Sequence, residues 1–306
     1  MDRREKILYK CNLDGIGLEI GPSFSPVLPK RDGYNVETLD VLDKEGLQER
    51  FAAVDKNGSI EEVNYVWNGE PYPQLIGKTN YYDYIIASHV IEHSCDLIGF
   101  FSDCSALLKD DGILSLAVPD KRYTFDFLRP VTGIARVLEN HGRNRNAHSP
   151  GAVYEHNSSV CHLDLKLLHS IQDAIDGYNL SVKQNNYIDS HTWVFTQTSF
   201  ELLIYDLSCL GLTDLCIDSS FDTFDHEFFV SLKKRKEKFV PNDEKRLELA
   251  MKAHYESTSR YFTDKLNALQ AENTALGDKI SDIYSSRSWK VTKPLRYVSA
   301  FFKRSK

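Results

Sequence analysis

Short apolar runs alternate with amphipathic stretches over the first 120 residues, as in repeated strand–helix units. Five of these runs are predicted to be strands: "GIGLEIG", "YNVETLD", "IEEVNYVW", "YDYIIAS" and "GILSLAVP". Between the fourth and fifth, "CDLIGFFSDCSALLKDDG" repeats apolar residues at helical spacing and stops in a turn. The alternation predicts an α/β domain, Rossmann-like, with a doubly wound parallel sheet.

The rhythm is lost over residues 121–195, which are rich in His, Asn, Ser and Gly. We expect a long loop with short helical pieces there, and long loops are usually functional, so this insertion is predicted to bind the acceptor. Beyond it, "SFELLIYDLSCLG" predicts a helix with a Ser cap and a Gly stop. The runs "LTDLCID" and "HEFFVSLKK" predict an antiparallel hairpin at the sheet edge, which closes a domain of residues 1–235.

Residues 236–283 form a predicted helical segment rich in Lys, Glu, Ala and Leu. Its seam positions recur at alternating spacings of four and three: Phe262, Leu266, Leu269, Asn273, Leu276, Ile280 and Ile283. A polar residue such as Asn273 within a heptad seam often fixes register and oligomer state. The pattern predicts a coiled coil that makes a homo-oligomer; the alternative is an amphipathic helix packed on its own domain.

The last 23 residues, 284–306, carry seven Lys or Arg and no acidic residue, interleaved with aromatic side chains. Such a tail suits an anionic membrane surface, and the alternatives are an acidic partner protein or a solvated tail. No apolar run approaches the roughly 18 residues that a spanning helix needs. Any membrane contact is therefore expected to be peripheral.

Charge and cysteine usage narrow the class of protein. The net charge of −7 argues against nucleic-acid binding, because a phosphate-neutralising surface is basic. The six cysteines form no C-x-x-C pair, and the N-terminus "MDRREKILYK" is too charged for a secretory signal peptide. We expect a cytoplasmic protein with reduced thiols.

The first predicted strand ends in "LEIGPSFSP", which has one glycine where a dinucleotide-binding turn has three. A small-residue turn lets the backbone approach a ligand. Glu19, two residues before Gly21, adds a carboxylate that would repel a pyrophosphate and attract a cationic ligand. Ser23 is small enough to add a hydroxyl contact.

Polar residues also follow the second and third predicted strands. Asp40 stands where a carboxylate binds ribose hydroxyls in nucleotide-binding α/β folds, and Asp43 is a close alternative. Asn68 and Glu70 lie where side chains can reach an adenine edge. Each residue alone is also consistent with a solvated turn, and the ordered set favours a nucleoside site.

The block "YDYIIASHVIEHSCDLIGFFSDCSALLKDDGILSLAVPDKRYTF", with "LEIG" and Asp40, resembles the class I S-adenosylmethionine-dependent methyltransferases of the small-molecule and sugar branch, over about residues 15–234. The resemblance implies S-adenosyl-L-methionine as the cofactor. It implies the following contacts: Glu19 and Gly21 to the methionine part, Asp40 to the ribose, Asn68 to the adenine, and Ser88 or His89 near the methyl group.

An acceptor hydroxyl needs a base when it is methylated. The candidates are His93, on the same predicted helical face as His89; Asp120, just past the fifth strand; and His191, with Asp189 to orient it. Each also has a structural alternative, such as pairing of Asp120 with a neighbouring cation.

Arg122, Tyr123 and Arg129 are predicted to shape the acceptor pocket, where arginine suits an anionic acceptor. A set of His141, His148, His156, His162 and Asp164 has spacings that match no common metal-ligand motif, so no metal is predicted.

A second resemblance concerns "SSRSWKVTKPLRYV", which is similar to the S-x-S-W-R-x-T-x-P-L-R tail of bacterial cell-surface polysaccharide enzymes. Together, the resemblance to methyltransferases and the resemblance of the tail imply an O-methyltransferase that acts on a sugar or saccharide precursor. They imply that it works at the cytoplasmic membrane face, beside partners in polysaccharide assembly. The main alternative is a non-catalytic, methyltransferase-like scaffold. A nicotinamide-dependent sugar dehydrogenase is disfavoured by the missing glycines.

Overall fold

A computed structural model describes residues 1–55, 58–142, 146–162, 166–184, 187–286, 289 and 291. The helices are α1 Arg3–Ile7, α2 Lys44–Arg50, α3 Tyr72–Ile76, α4 Leu97–Leu107, α5 Ile134–Asn140, α6 Pro150–Ser159, α7 Ile171–Lys183, α8 Gln197–Cys209 and α9 Asp243–Ser285. The strands are β1 Gly17–Ile20, β2 Val36–Asp40, β3 Tyr65–Val66, β4 Tyr82–Ser88, β5 Leu108–Pro119, β6 Leu215–Phe224 and β7 Glu227–Lys234.

The strands lie in the order β3-β2-β1-β4-β5-β7-β6. Strands β1 to β5 are parallel, and β7 runs antiparallel between β5 and β6. The predicted Rossmann-like sheet with an antiparallel edge hairpin is thereby confirmed. Strand order reverses between β1 and β4, and ligands of open α/β sheets bind outside the strand ends at such a switch point.

The sheet is covered on both faces, as the apolar runs predict. In β4, Ile85 belongs to the larger core cluster, whereas Tyr84 and Ile86 belong to a second cluster. Because neighbouring side chains of a strand point to opposite faces, the two clusters lie on opposite sides of the sheet. Helix α1, which the sequence analysis did not predict, contributes the buried Ile7 to the second cluster.

Local boundaries differ from the expectations in three places. The third strand shrinks from "IEEVNYVW" to Tyr65–Val66, because that segment has only a short pairing with the end of β2. Helix α8 is capped by Thr196, whose side chain accepts the Ser199 amide, so Ser199 is inside the helix. Strand β5 begins directly after α4, so "DDG" lies within the strand as an irregularity of its pairing with β4.

The chain divides into two compact units, Met1–Ser257 and Thr258–Lys306. The first unit extends beyond the expected domain end at residue 235. The start of α9 belongs to the first unit. Leu249 and Ala253 are buried there, and Arg246 donates to Asp206 at 2.7 Å. Glu256 accepts the Thr198 amide at 2.8 Å.

In the second unit, the helix α9 continues to Ser285, and Leu276, Ile280 and Ile283 are each about half exposed. The side chains of Phe262, Leu266 and Leu269 lie outside the described residues, as does most of the tail 284–306. Self-association through this helix therefore stays a prediction. Within the described residues, no helix combines the length and apolarity that a membrane span requires.

Truncation tests where the folded domain ends. A protein of residues 1–257 should keep the melting temperature of the full chain, and one of residues 1–235 should melt roughly 5–10 °C lower. The shorter protein loses the burial of Leu249, worth about 2–3 kcal/mol, and the contacts of Arg246 and Glu256. Thermal melts followed by circular dichroism measure both. Equal melting temperatures would place the boundary at residue 235.

Candidate active site

A pocket opens at the carboxyl ends of β1, β2 and β4, on the switch point of the sheet. Its lining comes from the turn after β1, the end of β2, the N-terminal part of α4, the segment after β4 and the segment 187–189. Six residues predicted from sequence are part of this lining: Gly21, Ser23, Asp40, His89, His93 and Asp189. The chain thus brings the ends of three parallel strands to one cavity.

Gly21 makes the turn after β1 possible. Its φ of +66° lies in the left-handed region that favours glycine, and its amide donates to the Leu39 carbonyl at 2.8 Å. A Cβ at this position would lie 2.7 Å from Val90 Cγ2. The single glycine of the turn is therefore required both for its dihedral angle and for the close approach of the segment after β4.

Asp40 places a buried carboxylate at the end of β2. Its Oδ1 accepts the Val41 amide at 2.7 Å, and its Oδ2 accepts the Ser23 amide at 3.1 Å. Burial raises the pKa of Asp40, although these amides oppose that change. The Ser23 hydroxyl is buried and has no hydrogen-bond partner in the protein. Carboxylate and hydroxyl together offer polar atoms to a ligand with hydroxyl groups.

Aromatic side chains line another part of the pocket. Trp67 and Tyr72 meet edge to face with ring centroids 6.0 Å apart, and Phe51 adds a third ring. The Trp67 Nε1 donates to the Glu70 carbonyl at 2.7 Å, which fixes the indole. Rings of this kind suit a planar heterocycle.

His93 and Asp189 form a charged pair on the pocket wall. His93 Nδ1 lies 2.8 Å from Asp189 Oδ1, and Arg50 of α2 binds the other carboxylate oxygen of Asp189. Burial favours neutral His93, but Asp189 and Glu92 outweigh it and raise the pKa of His93. Burial likewise opposes the charged form of Asp189, yet His93 and Arg50 hold its pKa below the ordinary range.

His191 and Glu92 lie behind His93. His191 Nδ1 lies 2.5 Å from Asp126 Oδ2, and Arg129 binds both Asp126 and the His191 carbonyl. The Glu92 carbonyl accepts the Thr192 amide at 2.7 Å. These bonds hold the segment after residue 190 against the turn that carries Glu92 and His93.

His89 lies on the pocket rim with φ +54°, directly after β4. Its Nε2 lies 2.9 Å from Glu227 Oε2, and Arg3 donates to both Glu227 oxygens and to the Ser88 hydroxyl. Burial lowers the pKa of His89, but Glu227 and Glu92 reverse this and raise it.

Residues 2–203 match the family model described as a methyltransferase domain. The chain belongs to this family. The prediction of an S-adenosylmethionine-dependent methyltransferase is confirmed at that level. No curated protein matches the chain.

Similar solved structures include an S-adenosylmethionine-dependent methyltransferase from Aquifex aeolicus, at 12% identity and a TM-score of 0.38, covering 75% of this chain and 88% of that one. The trans-methyltransferase CalH with S-adenosylhomocysteine has 13% identity and a TM-score of 0.38, covering 75% and 54%. A Burkholderia thailandensis 1,6-didemethyltoxoflavin-N1-methyltransferase has 12% identity and a TM-score of 0.40, covering 76% and 78%. Identities this low do not indicate the acceptor.

Three predicted cofactor residues of this methyltransferase do not line the pocket. The Glu19 carboxylate is buried and accepts the amides of Val27 and Leu28 at 2.6 and 3.1 Å. Asn68 is exposed, and its backbone N–H donates to the Glu70 carboxylate at 3.0 Å. The Ser88 hydroxyl accepts from Arg3 at 2.9 Å. The side chains of Glu19 and Ser88 therefore make contacts within the protein, as does the backbone of Asn68.

The remaining predicted residues, Asp120, Arg122, Tyr123 and Arg129, lie outside the pocket lining. Asp120 is fully buried and binds Arg122 and Thr223, at 2.6 Å for the threonine hydroxyl. Arg122 also pairs with Glu256 at 3.1 Å and stacks on Tyr123. Arg129 is buried and binds Asp126 and the His191 carbonyl. None of the side chains of Asp120, Arg122, Tyr123 and Arg129 lines the pocket.

Two expectations about the histidines are corrected. His89 and His93 do not share a helical face, because only Ile91–His93 form a helical turn and His89 precedes it. Asp189 lies beside His93 and not His191, whose partner is Asp126. Arg50 and Asp126 were missed, since nothing in the local sequence shows which distant segments meet here.

Alanine at Gly21 tests the tight turn. Gly21→Ala should destabilise the protein by roughly 1–2 kcal/mol from the left-handed φ, plus about 1–3 kcal/mol from overlap with Val90. Gly33→Ala is the matched control, because Gly33 has φ +88° and open space around its Cβ position. Urea unfolding measures both changes.

A second change isolates the overlap with Val90. In Gly21→Ala combined with Val90→Ala, the loss should be smaller than the sum of the two single losses by about 1 kcal/mol or more. Simple additivity would mean that Val90 does not restrict this turn.

Proposed function

We propose that this methyltransferase transfers a methyl group from S-adenosylmethionine to a hydroxyl of a saccharide or saccharide precursor. The observation that carries the proposal is that one pocket has the Asp40 carboxylate and the Gly21 turn in its lining together with the His93–Asp189 pair. The first set suits a nucleoside with an amino-acid moiety. The second suits an acceptor that must lose a proton.

The lining fits the cofactor in several respects. The Asp40 oxygens are placed to accept ribose hydroxyls, and the unpartnered Ser23 hydroxyl adds a polar contact. Gly21 lines the pocket at the turn after β1, and Val90 fills the space that a side chain there would take. Trp67 and Tyr72 provide faces for the adenine. When bound, S-adenosylmethionine supplies a methyl group on a positively charged sulfur.

The acceptor hydroxyl loses its proton as its oxygen takes the methyl group. Among the three candidate bases, His93 is the one that lines the pocket, and Asp189 holds its Nδ1 at 2.8 Å. The nearby Asp189 carboxylate favours the positive charge that His93 gains when it takes the proton, and such proton transfer contributes about 10²–10⁴-fold in enzymes. Arg50 and Tyr187 also line the pocket and offer polar groups to an acceptor.

The saccharide class and the location rest on the likeness of "SSRSWKVTKPLRYV" to the tails of surface-polysaccharide enzymes. Under this proposal the protein works in the cytoplasm, with residues 284–306 on the inner membrane face or on an assembly partner. Within the predicted segment 236–283, the part beyond residue 257 joins copies of the chain. The product of the enzyme is an O-methylated glycan of the cell surface.

Cofactor binding tests the role of Asp40. Asp40→Ala should weaken S-adenosylmethionine binding by about 1.5 kcal/mol or more, roughly tenfold, since it removes hydrogen bonds to a charged acceptor. Asp43→Ala is the matched control: Asp43 caps α2 through the Gly46 amide and is absent from the pocket lining, so only stability should fall.

Isothermal titration calorimetry measures the affinities of the wild type and both variants. A loss of affinity in Asp43→Ala alone would move the ribose contact there. No binding by the wild type at millimolar cofactor would favour the non-catalytic scaffold.

The acceptor class is tested in cells. Deleting the gene should remove O-methyl groups from a cell-surface glycan, and the Asp40→Ala gene should not restore them because its product binds the cofactor weakly. Mass spectrometry of the purified glycan, with the wild-type gene as the complementation control, measures this. Unchanged glycan methylation after deletion would exclude a surface saccharide as the acceptor.

A further inference from the structure

Glu92 carries a buried carboxylate without a hydrogen-bond donor. The residue is 0% exposed, and neither carboxylate oxygen has a hydrogen-bond partner in the protein. Its main chain is held firmly, since its carbonyl accepts the amides of Thr192 and Trp193 at 2.7 and 3.3 Å. A buried charge without such partners is costly unless a cation neutralises it.

Imidazole rings surround this carboxylate. His93 Nε2 lies 4.0 Å from Glu92 Oε1, and His89 Nδ1 lies 3.6 Å from the same oxygen. A ring nitrogen of His191 completes the group, because one ligand atom each from Glu92, His93 and His191 lie within 4.8 Å of one another. Two imidazoles and one carboxylate thus converge from segments about 100 residues apart.

Both histidines have a carboxylate on the other side of the ring. Asp189 lies 2.8 Å from His93 Nδ1, and Asp126 lies 2.5 Å from His191 Nδ1. Metal-ligating histidines almost always donate their second nitrogen to such a partner, which fixes the tautomer and the ring orientation. His191 has such a hydrogen bond to Asp126, which leaves its Nε2 available as a ligand. For His93, Asp189 lies at ion-pair distance from Nδ1 without a hydrogen bond, and Nε2 is the nitrogen that lies 4.0 Å from Glu92.

We propose that Glu92, His93 and His191 bind a divalent transition-metal cation. The donor set of two imidazoles and a carboxylate suits Zn²⁺, Fe²⁺ or Co²⁺ and not Ca²⁺ or Mg²⁺, which take oxygen ligands. Ligands at 2.0–2.2 Å from a tetrahedral ion lie roughly 3.3–3.6 Å from one another, so side-chain movements of about 1 Å close the site.

A second trio, His89, His226 and Glu227, has similar spacing but lacks an available carboxylate. Arg3 already donates to both Glu227 oxygens, at 2.5 and 3.0 Å, so the Glu227 charge is balanced. The described part of the chain has two such groups of three possible metal ligands. Only the group that contains Glu92 needs a cation to balance its carboxylate.

The site refines the proposed function, and this step rests on that function. With three protein ligands, an ion held there would keep an open position for water or an acceptor oxygen and would lower the pKa of that oxygen. His93 would then be a ligand instead of the base. The acceptor hydroxyl would release its proton to water as its oxygen takes the methyl group from the sulfonium.

Cobalt binding tests the site without reference to activity. Full-length protein without a histidine tag is dialysed against chelator and titrated with Co²⁺, whose visible absorption reports imidazole ligands. We expect one Co²⁺ per chain, displaced by Zn²⁺. Glu92→Gln and His191→Gln should each weaken binding by more than the roughly 10- to 100-fold that loss of an outer partner causes. His226→Gln is the control and should bind as the wild type does.

Thermal melts show whether each variant folds. If no variant folds, Co²⁺ binding by the wild type alone decides whether the proposal stands. No Co²⁺ binding by the wild type would mean that histidine protons alone neutralise Glu92, and it would overturn the proposal. Wild-type affinity in folded Glu92→Gln, or a loss in His226→Gln, would do the same. Cobalt binding without any S-adenosylmethionine binding would leave the metal site standing and refute the proposed function.

Discussion

The parallel pairing of β1 with β4 is the constraint on which the site depends. Because the chain leaves β1 to one side and returns on the other, the loops after these two strands separate and leave a crevice between them. Gly21 follows one strand and His89 the other, and Val90 packs so close to Gly21 that a side chain there would overlap it. The polar groups of the pocket act together because this pairing fixes their backbones.

Much of the sheet could be predicted from the sequence, because the strand signal is local. A buried parallel strand is a short apolar run, so β1, β2, β4 and β5 are readable, and the ends of these strands place Gly21 and Asp40 correctly at the crevice. Strand β3 was overestimated, since its two-residue pairing with β2 is set by tertiary context.

The candidate site could be predicted only in part, because its partners are distant in sequence. Glu19 shows the difficulty: a carboxylate beside a turn predicts a ligand contact, whereas the folded chain uses it to accept the Val27 and Leu28 amides. A buried amide must find an acceptor, and the sequence does not show which amides will be buried. For the same reason, Asp126 could not be recognised as the partner of His191, 65 residues away.

The network of Arg3, Ser88, His89 and Glu227 has a consequence for the order in which the protein folds. It joins the first helix to β7 across 224 residues, and β7 must pair with β5 before Glu227 reaches the pocket rim. Contacts of such long separation form late, because the chain must first close a large loop. During synthesis, strands β1 to β5 emerge from the ribosome well before β7 does, so the rim that carries His89 is among the last parts of the domain to reach its native structure.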